Sequence, residues 1–445
     1  MKYFGTDGFR GKVSEKLNVT HAFKIGMYLG YYFSKKRPNP RMIVGKDTRL
    51  SGDTLEHALA AGAASMGADV YLLGVTPTPA ISLLIRKGNY DMGAMISASH
   101  NPYQDNGIKL FNEDGFKLQE EVELLIEEYI DSEELLPLVS GKEIGKIIDI
   151  HDNGLAKYAA WLHEVCDFDF TGMRVLCDLA NGSATAIAKS VLESYNAEVD
   201  VISNEPNGIN INEGCGSTHL ELLQDKMIEG EYDIGLAFDG DADRLLAVDE
   251  HGCIVDGDII MYLCGKYMKE HGTLNQDVVV TTVMSNIGLH KAFKECGIAT
   301  KKTAVGDKYV SECLFAEGYS LGGEQSGHII FKDEAVTGDG LLTALHLLQV
   351  LKHSGTSLST LRESIEIYPQ LLKNVRVQSK KAAMEDSDVK AAIEQITVLL
   401  GDNGRILVRP SGTEELIRVM VEAQSDELCE NYVNQVIEII ENKRL

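Results

Sequence analysis

Positive charge is scarce in this sequence of 445 residues. It carries 42 Lys and Arg against 67 Asp and Glu, so its formal net charge is −25. An acidic field of this size repels nucleic acid and anionic membrane surfaces, so neither is a predicted partner. Any anionic ligand would therefore need a local pocket of positive charge.

Long apolar runs and paired cysteines are also missing. No segment approaches the roughly 18 apolar residues of a membrane span, and residues 1–11 lack the apolar run of a signal peptide. The eight cysteines contain no Cys-x-x-Cys pair, which favours buried, reduced thiols. We expect a cytoplasmic protein whose length corresponds to about three average domains.

Apolar strands alternate with helices through most of the chain. Predicted strands cover residues 42–45, 69–74, 92–96, 174–178, 199–202, 234–238 and 278–283. This alternation predicts an α/β protein of three consecutive domains whose mixed or parallel sheets are covered by helices. The last stretch places strands 406–408 and 416–421 between two helices, which predicts a smaller α+β domain with antiparallel pairing. We expect domains at 1–150, 151–253, 254–368 and 369–445.

Three alternating aspartates, Asp239, Asp241 and Asp243, are the sharpest local feature. They lie between the apolar runs 234–238 and 245–248, and their spacing lets the carboxylates converge on one side of an extended loop. Carboxylates between two buried strands need a compensating charge, so a divalent cation is favoured over a solvated acidic turn. Gly240 relieves crowding where the chain bends.

An EF-hand is the competing interpretation of these carboxylates. Glu250 falls at loop position twelve counted from Asp239, but position six, which requires glycine, is Arg244. Residues 245–248 are strand-like, so we reject an EF-hand. Monodentate carboxylates leave positions open for a phosphate oxygen and water, which favours Mg²⁺.

Ser99 lies in a second candidate loop, 97–102, of sequence SASHNP, directly after the apolar strand 92–96. Open α/β sheets bind ligands at the carboxyl ends of their strands. The sequences 101–102 and 105–107 predict turns that hold Ser99 on an exposed loop, as a nucleophilic or phosphate-carrying serine requires. A hydrolase triad is disfavoured because His100 is adjacent in sequence and no Gly-x-Ser-x-Gly pattern is present. A serine-rich turn remains the alternative for this loop alone.

Two further loops carry groups suited to a sugar phosphate. In GGEQSGH, residues 322–328, Glu324 and Ser326 alternate so that both can face sugar hydroxyls. In RPSGT, residues 409–413, hydroxyls, backbone N–H groups and Arg409 combine with Arg418 into a phosphate cradle. A hairpin turn and a surface turn are the respective alternatives. For Arg49, in the turn 47–52, a structural role is favoured.

These loops, in this order, resemble those of the α-D-phosphohexomutase family. The resemblance covers essentially the whole chain, and four ordered loops are more specific than any one. The opening segment 3–8, Gln325 and the runs 337–344 and 416–420 indicate the branch of the family that acts on hexosamine phosphates. The resemblance implies a heart-shaped fold of four domains, with one loop from each domain in a central cleft, and also a homodimer.

The resemblance also implies roles for individual residues. Ser99 would be the phosphoserine and would hold Mg²⁺ together with Asp239, Asp241 and Asp243, while Arg10 and Lys109 would assist transfer. The sugar would bind at Glu324, Ser326 and His328, and the phosphate that does not react would bind at Arg409, Ser411, Gly412, Thr413 and Arg418. Two positions depart from the family pattern, because Lys308 stands where Arg is usual and Glu415 where Pro is usual.

The implied reaction interconverts hexosamine 6-phosphate and 1-phosphate for UDP-N-acetylglucosamine and cell-wall precursor synthesis. Phospho-Ser99 would give its phosphoryl group to O1 or O6, and the resulting 1,6-bisphosphate, which is also the activator, would reorient and return the other group. Lys109 is the candidate general acid or base if neighbouring cations lower its pKa. The alternatives are a mutase for glucose or mannose phosphates, a metal-dependent sugar phosphatase and a non-catalytic sugar-phosphate sensor.

Overall fold

The computed structural model describes residues 1–5, 7–411 and 415–443. The chain divides into two compact units. The first consists of Met1–Met284 and Thr300–Glu363, and the second of Ser285–Ala299 and Ser364–Leu445. The strands are β1 (Phe4–Gly5), β2 (Gly8–Lys12), β3 (Arg41–Lys46), β4 (Asp69–Val75), β5 (Met92–Ile96), β6 (Asp105–Phe111), β7 (Ile147–Asp149), β8 (Arg174–Asp178), β9 (Glu198–Ile202), β10 (Ile234–Phe238), β11 (Leu245–Val248), β12 (Ile254–Val255), β13 (Val278–Thr282), β14 (Ala299–Thr303), β15 (Leu321–Gly323), β16 (Ile329–Phe331), β17 (Gln370–Arg376), β18 (Arg405–Pro410) and β19 (Leu416–Glu422).

Helices connect these strands. They are α1 (Val19–Ser34), α2 (Gly52–Ala64), α3 (Thr78–Lys87), α4 (Glu120–Asp131), α5 (His151–Val165), α6 (Ala188–Ser194), α7 (Glu221–Glu229), α8 (Gly257–Glu270), α9 (Ile287–Glu295), α10 (Asp307–Glu317), α11 (Gly340–Ser354), α12 (Leu358–Arg362), α13 (Lys380–Glu385), α14 (Ser387–Leu400) and α15 (Asp426–Asn442). Among the helices in the described part of the chain, none combines the length and apolar character that a membrane span requires.

The first unit contains three mixed sheets, as the strand–helix alternation predicts. Their strand orders are β1-β2-β6-β5-β3-β4-β7, β12-β11-β10-β8-β9 and β14-β13-β15-β16. Parallel strands lie at the centre of the first two sheets, where β3 pairs with β4 and β5, and β8 pairs with β9 and β10. Strands β5 and β10 are buried along their whole length, because continuous apolar strands need cover on both faces.

Strand β6 corrects one prediction about the serine loop. The Asp-Asn-Gly sequence at 105–107 predicts a turn, but these residues begin β6, which runs antiparallel to both β5 and β2. The turn closes earlier, where the amide of Asp105 donates to the carbonyl of Pro102 over 3.1 Å. Pairing on both sides outweighs the local turn preference, and it places Lys109 opposite Met95, beside the strand that leads to Ser99.

The second unit confirms the α+β prediction for the last stretch of chain. Its antiparallel sheet has the order β17-β19-β18. The register places Arg409 opposite Arg418 on neighbouring strands. Helices α13, α14 and α15 supply apolar side chains that pack with this sheet, including Ala383, Ile396 and Val436.

Helix α11 begins at a buried carboxylate, and this carboxylate makes stability depend on pH. Asp339 accepts hydrogen bonds from the amides of Leu341 and Leu342, both over 3.0 Å, and from the hydroxyl of Tyr158. Burial nevertheless raises the pKa of Asp339 to about 6. A raised carboxyl pKa favours the protonated folded state, so this contribution to stability is complete below about pH 4 and is lost as the pH rises through about 6.

We therefore expect Asp339→Asn, which stays neutral, to gain stability relative to the wild type between about pH 4 and 6. The gain approaches about 3 kcal/mol, because one pKa unit corresponds to about 1.36 kcal/mol. Denaturant unfolding of both proteins at a series of pH values measures the difference. A difference that stays constant from pH 4 to pH 7 contradicts the raised pKa of Asp339.

Candidate active site

Ser99 lies in the loop that follows β5, in the first unit. Its φ angle is +52°, and it is buried rather than exposed, so the prediction of an exposed loop is wrong. Its hydroxyl donates to Oδ2 of Asp239 over 2.5 Å. The His100 ring folds back further than its sequence position led us to expect, with Nδ1 at 3.4 Å from the Ser99 hydroxyl. Burial, Arg244 and Arg10 lower the pKa of His100 to about 4.

The three predicted aspartates lie together in the turn between β10 and β11. Asp239, Asp241 and Asp243 are all buried, and each offers a carboxylate oxygen within 4.8 Å of those of the other two. The turn lies directly against the serine loop, since a Cβ atom on Gly240 would be 2.4 Å from the carbonyl oxygen of Ser99. The predicted need for glycine here is explained by this close approach as much as by the bend.

Neighbouring side chains orient two of these carboxylates. Oδ2 of Asp241 accepts from the hydroxyl of Thr78 over 2.5 Å and from Lys109 over 2.7 Å, and Oδ2 of Asp243 accepts from Lys109 over 2.9 Å. Oδ1 of Asp241 and of Asp243 are buried and have no hydrogen-bond partner among the described residues. Burial and the two neighbouring carboxylates raise the pKa of Asp239 well above its usual value. Unsatisfied, mutually repelling oxygens of this kind fit a hard divalent cation.

Lys109 is surrounded by carboxylates, and this corrects the expectation for its pKa. Burial lowers the pKa of its ammonium group, but Asp241, Asp243 and Asp7 outweigh burial and hold the pKa well above the usual value. The condition for Lys109 to act as general acid or base, a pKa lowered by neighbouring cations, is therefore not met in this structure. Lys109 is a buried ammonium group that ties the aspartate loop to β6.

A second set of charges, missed by the sequence analysis, extends from Lys109. Asp7 lies 3.2 Å from Lys109 and 2.6 Å from Lys117, and Lys117 lies 2.5 Å from Asp307 at the start of α10. Arg10 pairs with Asp7, while its Nε atom is buried without a hydrogen-bond partner in the described part of the chain. Asp7 lies in the opening segment 3–8 and Asp307 directly precedes Lys308, but nothing in one sequence identifies Lys117 as their partner.

The predicted sugar loop forms the hairpin between β15 and β16. Glu324 is half-buried, and its Oε1 accepts from the amide of Gly306 over 3.0 Å, while Ser326 is exposed. His328 is buried, with Nε2 accepting from the amide of Gly338 over 3.0 Å and Nδ1 lying 3.8 Å from Asp243. The hairpin is thus connected to the aspartate loop through His328.

The predicted phosphate cradle lies in the second unit. Arg409 and Arg418 face each other across β18 and β19, and partial burial together with Arg418 lowers the pKa of Arg409. Ser411 is buried, and its carbonyl accepts from Lys380 over 3.2 Å. The other two predicted members of the cradle, Gly412 and Thr413, lie outside the described residues.

The two departures from the family pattern both form ion pairs. Lys308 lies 3.6 Å from Glu120 and lines a cavity of about 460 Å³ together with Lys117 and Asp307. Glu415 pairs with Lys380 over 3.5 Å, and its carbonyl accepts from the amide of Val377. Glu415, which stands where proline is usual, is therefore bonded to the segment that contains Val377 and Lys380.

Protein-family comparison covers nearly the whole chain. Four domains described as phosphoglucomutase/phosphomannomutase match in order: alpha/beta/alpha domain I at residues 1–136, domain II at 158–252, domain III at 256–368 and the C-terminal domain at 372–439. The class defined by these domains is the hexose-phosphate mutases, isomerases that move a phosphoryl group within one sugar. The chain belongs to the phosphoglucomutase/phosphomannomutase family.

Individual proteins and solved structures are also similar to this chain. A phosphoglucosamine mutase from Lachnoclostridium phytofermentans is 52% identical over 443 residues, which is 99% of this chain and 98% of that protein. A phosphoglucomutase/phosphomannomutase family protein from Burkholderia thailandensis has a TM-score of 0.83 at 22% identity, covering 100% of this chain and 98% of the other. The Aspergillus fumigatus N-acetylphosphoglucosamine mutase, solved with GlcNAc-6P and magnesium, has a TM-score of 0.72 at 18% identity, with coverage of 100% and 96%. The two solved structures share the fold with this chain.

Proposed function

We propose that this chain interconverts glucosamine 6-phosphate and glucosamine 1-phosphate through a phosphoserine at Ser99 and a 1,6-bisphosphate intermediate. The observation that carries the proposal is the Ser99 hydroxyl, held 2.5 Å from Asp239 within a buried cluster of carboxylates. The choice of sugar follows the phosphoglucosamine mutase that is 52% identical over nearly all of both chains. A hexose or hexosamine 1,6-bisphosphate would load Ser99 and so act as activator.

The metal site would be formed by Asp239, Asp241 and Asp243 with the phosphate of Ser99. The fit rests on the two buried oxygens, on Asp241 and Asp243, that have no hydrogen-bond partner among the described residues. When bound there, Mg²⁺ would offset negative charge on the phosphoryl group. Thr78 and Lys109 bind the Oδ2 atom of Asp241, and Lys109 also binds that of Asp243, which leaves the two Oδ1 atoms for a cation.

The chain's own cations would assist the transfer by position rather than by giving up a proton. Lys109, held between Asp241 and Asp243, keeps a positive charge beside the reacting group. Arg10 presents an unpartnered Nε among the described residues, which suits a phosphoryl oxygen. Ser99 supplies the oxygen that carries the phosphoryl group between the two substrate positions.

Binding of the sugar phosphate would fall to two further loops. Glu324, Ser326 and His328 would contact sugar hydroxyls, and Arg409, Ser411, Gly412, Thr413 and Arg418 the phosphate that does not react. The corresponding domains would be 1–150 for the phosphoserine, 151–253 for the metal, 254–368 for the sugar and 369–445 for the phosphate. We further propose that the enzyme acts in the cytoplasm as a homodimer.

The experiment that tests this proposal compares three substrates. With Mg²⁺ and glucose 1,6-bisphosphate present, kcat/KM is measured for glucosamine 1-phosphate, glucose 1-phosphate and mannose 1-phosphate. We expect the amino sugar to be preferred and no inorganic phosphate to accompany turnover. Equal or better activity on a neutral sugar would overturn the choice of sugar. Phosphate release at the rate of substrate loss would identify a phosphatase, and binding without turnover or covalent phosphate would identify a sensor.

Arg418→Met is expected to raise KM for the sugar phosphate by roughly 10- to 100-fold while changing kcat less. A hydrogen bond to a charged group contributes about 1.5–3 kcal/mol, and methionine keeps an unbranched apolar stem but removes the guanidinium group. Steady-state kinetics with glucosamine 1-phosphate gives both parameters. Arg376→Met is the matched control, because Arg376 is exposed on β17 of the same sheet. An unchanged KM in Arg418→Met would contradict the cradle.

A further inference from the structure

Arg49 is a buried arginine next to the serine loop that the proposed reaction does not use. It lies in the turn after β3, and only 3% of the residue's surface is exposed. The guanidinium group donates to four backbone carbonyls of one loop, at distances of 2.6–3.1 Å: those of Ser99, Asn101, Pro102 and Asp105. Its Nε donates to Oδ2 of Asp47 over 2.8 Å. All five N–H donors of an arginine thus have an acceptor.

Asp47 continues this arrangement to the other side of Ser99. Its Oδ2 accepts from the hydroxyl of Ser97 over 2.6 Å, and the Ser97 oxygen accepts from the amide of Ser99 over 2.9 Å. The amide of Asp47 donates to the carbonyl of Ile96 at the end of β5, over 3.1 Å. Ser99 is therefore held at its amide through Ser97 and at its carbonyl by Arg49.

The loop needs this hold because its conformation is unfavourable without it. Ser99 has a φ angle of +52°, in the left-handed region that residues other than glycine rarely adopt. Buried carbonyl oxygens that converge on one point repel one another unless a cation lies between them. Asn212, in the segment between β9 and α7, adds a weaker hold by donating to the carbonyls of Ser99 and Asn101 over 2.9 and 3.1 Å.

We propose that Arg49 is a positioning residue that fixes the Ser99 oxygen for phosphoryl transfer to the sugar and thereby suppresses transfer to water. The inference rests on the proposed function of Ser99 as the phosphoserine. Arg49 reaches the reacting oxygen only through the backbone, so its loss displaces the phosphoryl group without removing a substrate contact. A displacement of about 1 Å costs roughly 100-fold in rate. Water is less demanding of position: its oxygen bonds to phosphorus, the bond from phosphorus to the serine oxygen breaks, that oxygen takes a proton, and inorganic phosphate leaves.

The test measures how phospho-Ser99 partitions between sugar and water. Wild type, Arg49→Lys and Asn212→Ala are loaded with glucose 1,6-bisphosphate, and interconversion of glucosamine phosphates and release of inorganic phosphate are followed together with Mg²⁺ present. Lysine keeps the charge but cannot donate to four carbonyls in a plane. Arg41→Met is the matched control, because Arg41 lies on β3 and donates to Tyr71 away from the loop.

For Arg49→Lys we expect kcat to fall roughly 10- to 100-fold with KM within about twofold, and phosphate released per interconversion to rise at least about fivefold. Asn212→Ala shifts the same ratio less, and Arg41→Met leaves it unchanged. A loss of folded protein lowers both rates together, so an unchanged ratio in both loop variants overturns the proposal. Interconversion by the wild type is measured first and tests the proposed function separately. The change in phosphate released per interconversion between variant and wild type then tests the role of Arg49.

Discussion

Ser99→Ala is expected to lower kcat/KM for interconversion of glucosamine phosphates at least about 1,000-fold. The variant loses the only atom of this side chain that can carry a phosphoryl group, whereas the surrounding carboxylates and cations remain. Alanine also fits the space occupied by Ser99, because the substitution removes only the hydroxyl that donates to Asp239. Intact-mass measurement after incubation with glucose 1,6-bisphosphate gives an independent readout, because the wild type gains one phosphoryl group and the variant gains none.

Ser183→Ala is the matched control for this experiment. Ser183 is also buried, its amide donates to the carbonyl of Gly240 over 2.8 Å, and its hydroxyl has no hydrogen-bond partner in the described part of the chain. Its removal should leave activity and phosphorylation intact. If Ser99→Ala kept activity within about tenfold of the wild type, or still gained the mass of a phosphoryl group, the phosphoserine mechanism would fail.

The second large effect is expected for Asp241→Asn, at about 100-fold or more in kcat, with Mg²⁺ binding weakened at least about tenfold. Asparagine matches the shape of aspartate and can still accept from Thr78, but it removes one negative charge from the proposed cation site. It also removes one of the three aspartates that lie within 3.2 Å of Lys109. Activity measured over a range of Mg²⁺ concentrations separates weakened binding from a lower rate at saturation, and calorimetric Mg²⁺ titration gives the affinity without turnover.

Asp249→Asn provides the corresponding control. Asp249 is buried just after β11, and its Oδ1 accepts from the amides of His251 and Cys253, so it stabilises a turn in the same sheet. This variant should lose some thermal stability while keeping the Mg²⁺ dependence of the wild type. The metal assignment fails if Asp241→Asn responds to Mg²⁺ as the wild type does, or if removal of divalent cations by a chelator leaves wild-type activity unchanged.

Buried strands were the most predictable part of the fold. Strands β5, β8 and β10 have the predicted bounds, because a continuous apolar run between polar or glycine residues has few alternatives. Helix α1 was not predicted, since Gly26 and Gly30 interrupt its pattern. In the structure, glycine is required at both positions: a Cβ atom on Gly26 would lie 2.0 Å from the carbonyl of Leu59 in α2, and one on Gly30 would lie 2.8 Å from Met66. Such close helix packing is a tertiary fact that the local sequence does not contain.

The candidate site was likewise predictable only in part. The grouping of Asp239, Asp241 and Asp243 was predictable, because alternation within one short loop brings the carboxylates together. The contacts made by Lys109 were not, since its carboxylate partners come from distant segments and reverse the expected direction of its pKa shift. The position of Arg49 was likewise only partly predictable: its structural role follows from the turn, but its four carbonyl acceptors depend on how the serine loop folds back.

The hydrogen bond between Thr78 and Asp241 joins residues 163 positions apart, and it has a consequence for assembly. Thr78 begins α3, beside the first sheet, and Asp241 follows β10 of the second, so Thr78 can orient Asp241 in the proposed cation site only after these two sheets have docked. A cation that binds only the docked arrangement stabilises that arrangement by mass action. Bound Mg²⁺ would therefore stabilise the contact between the first two sheets as well as the reacting phosphoryl group.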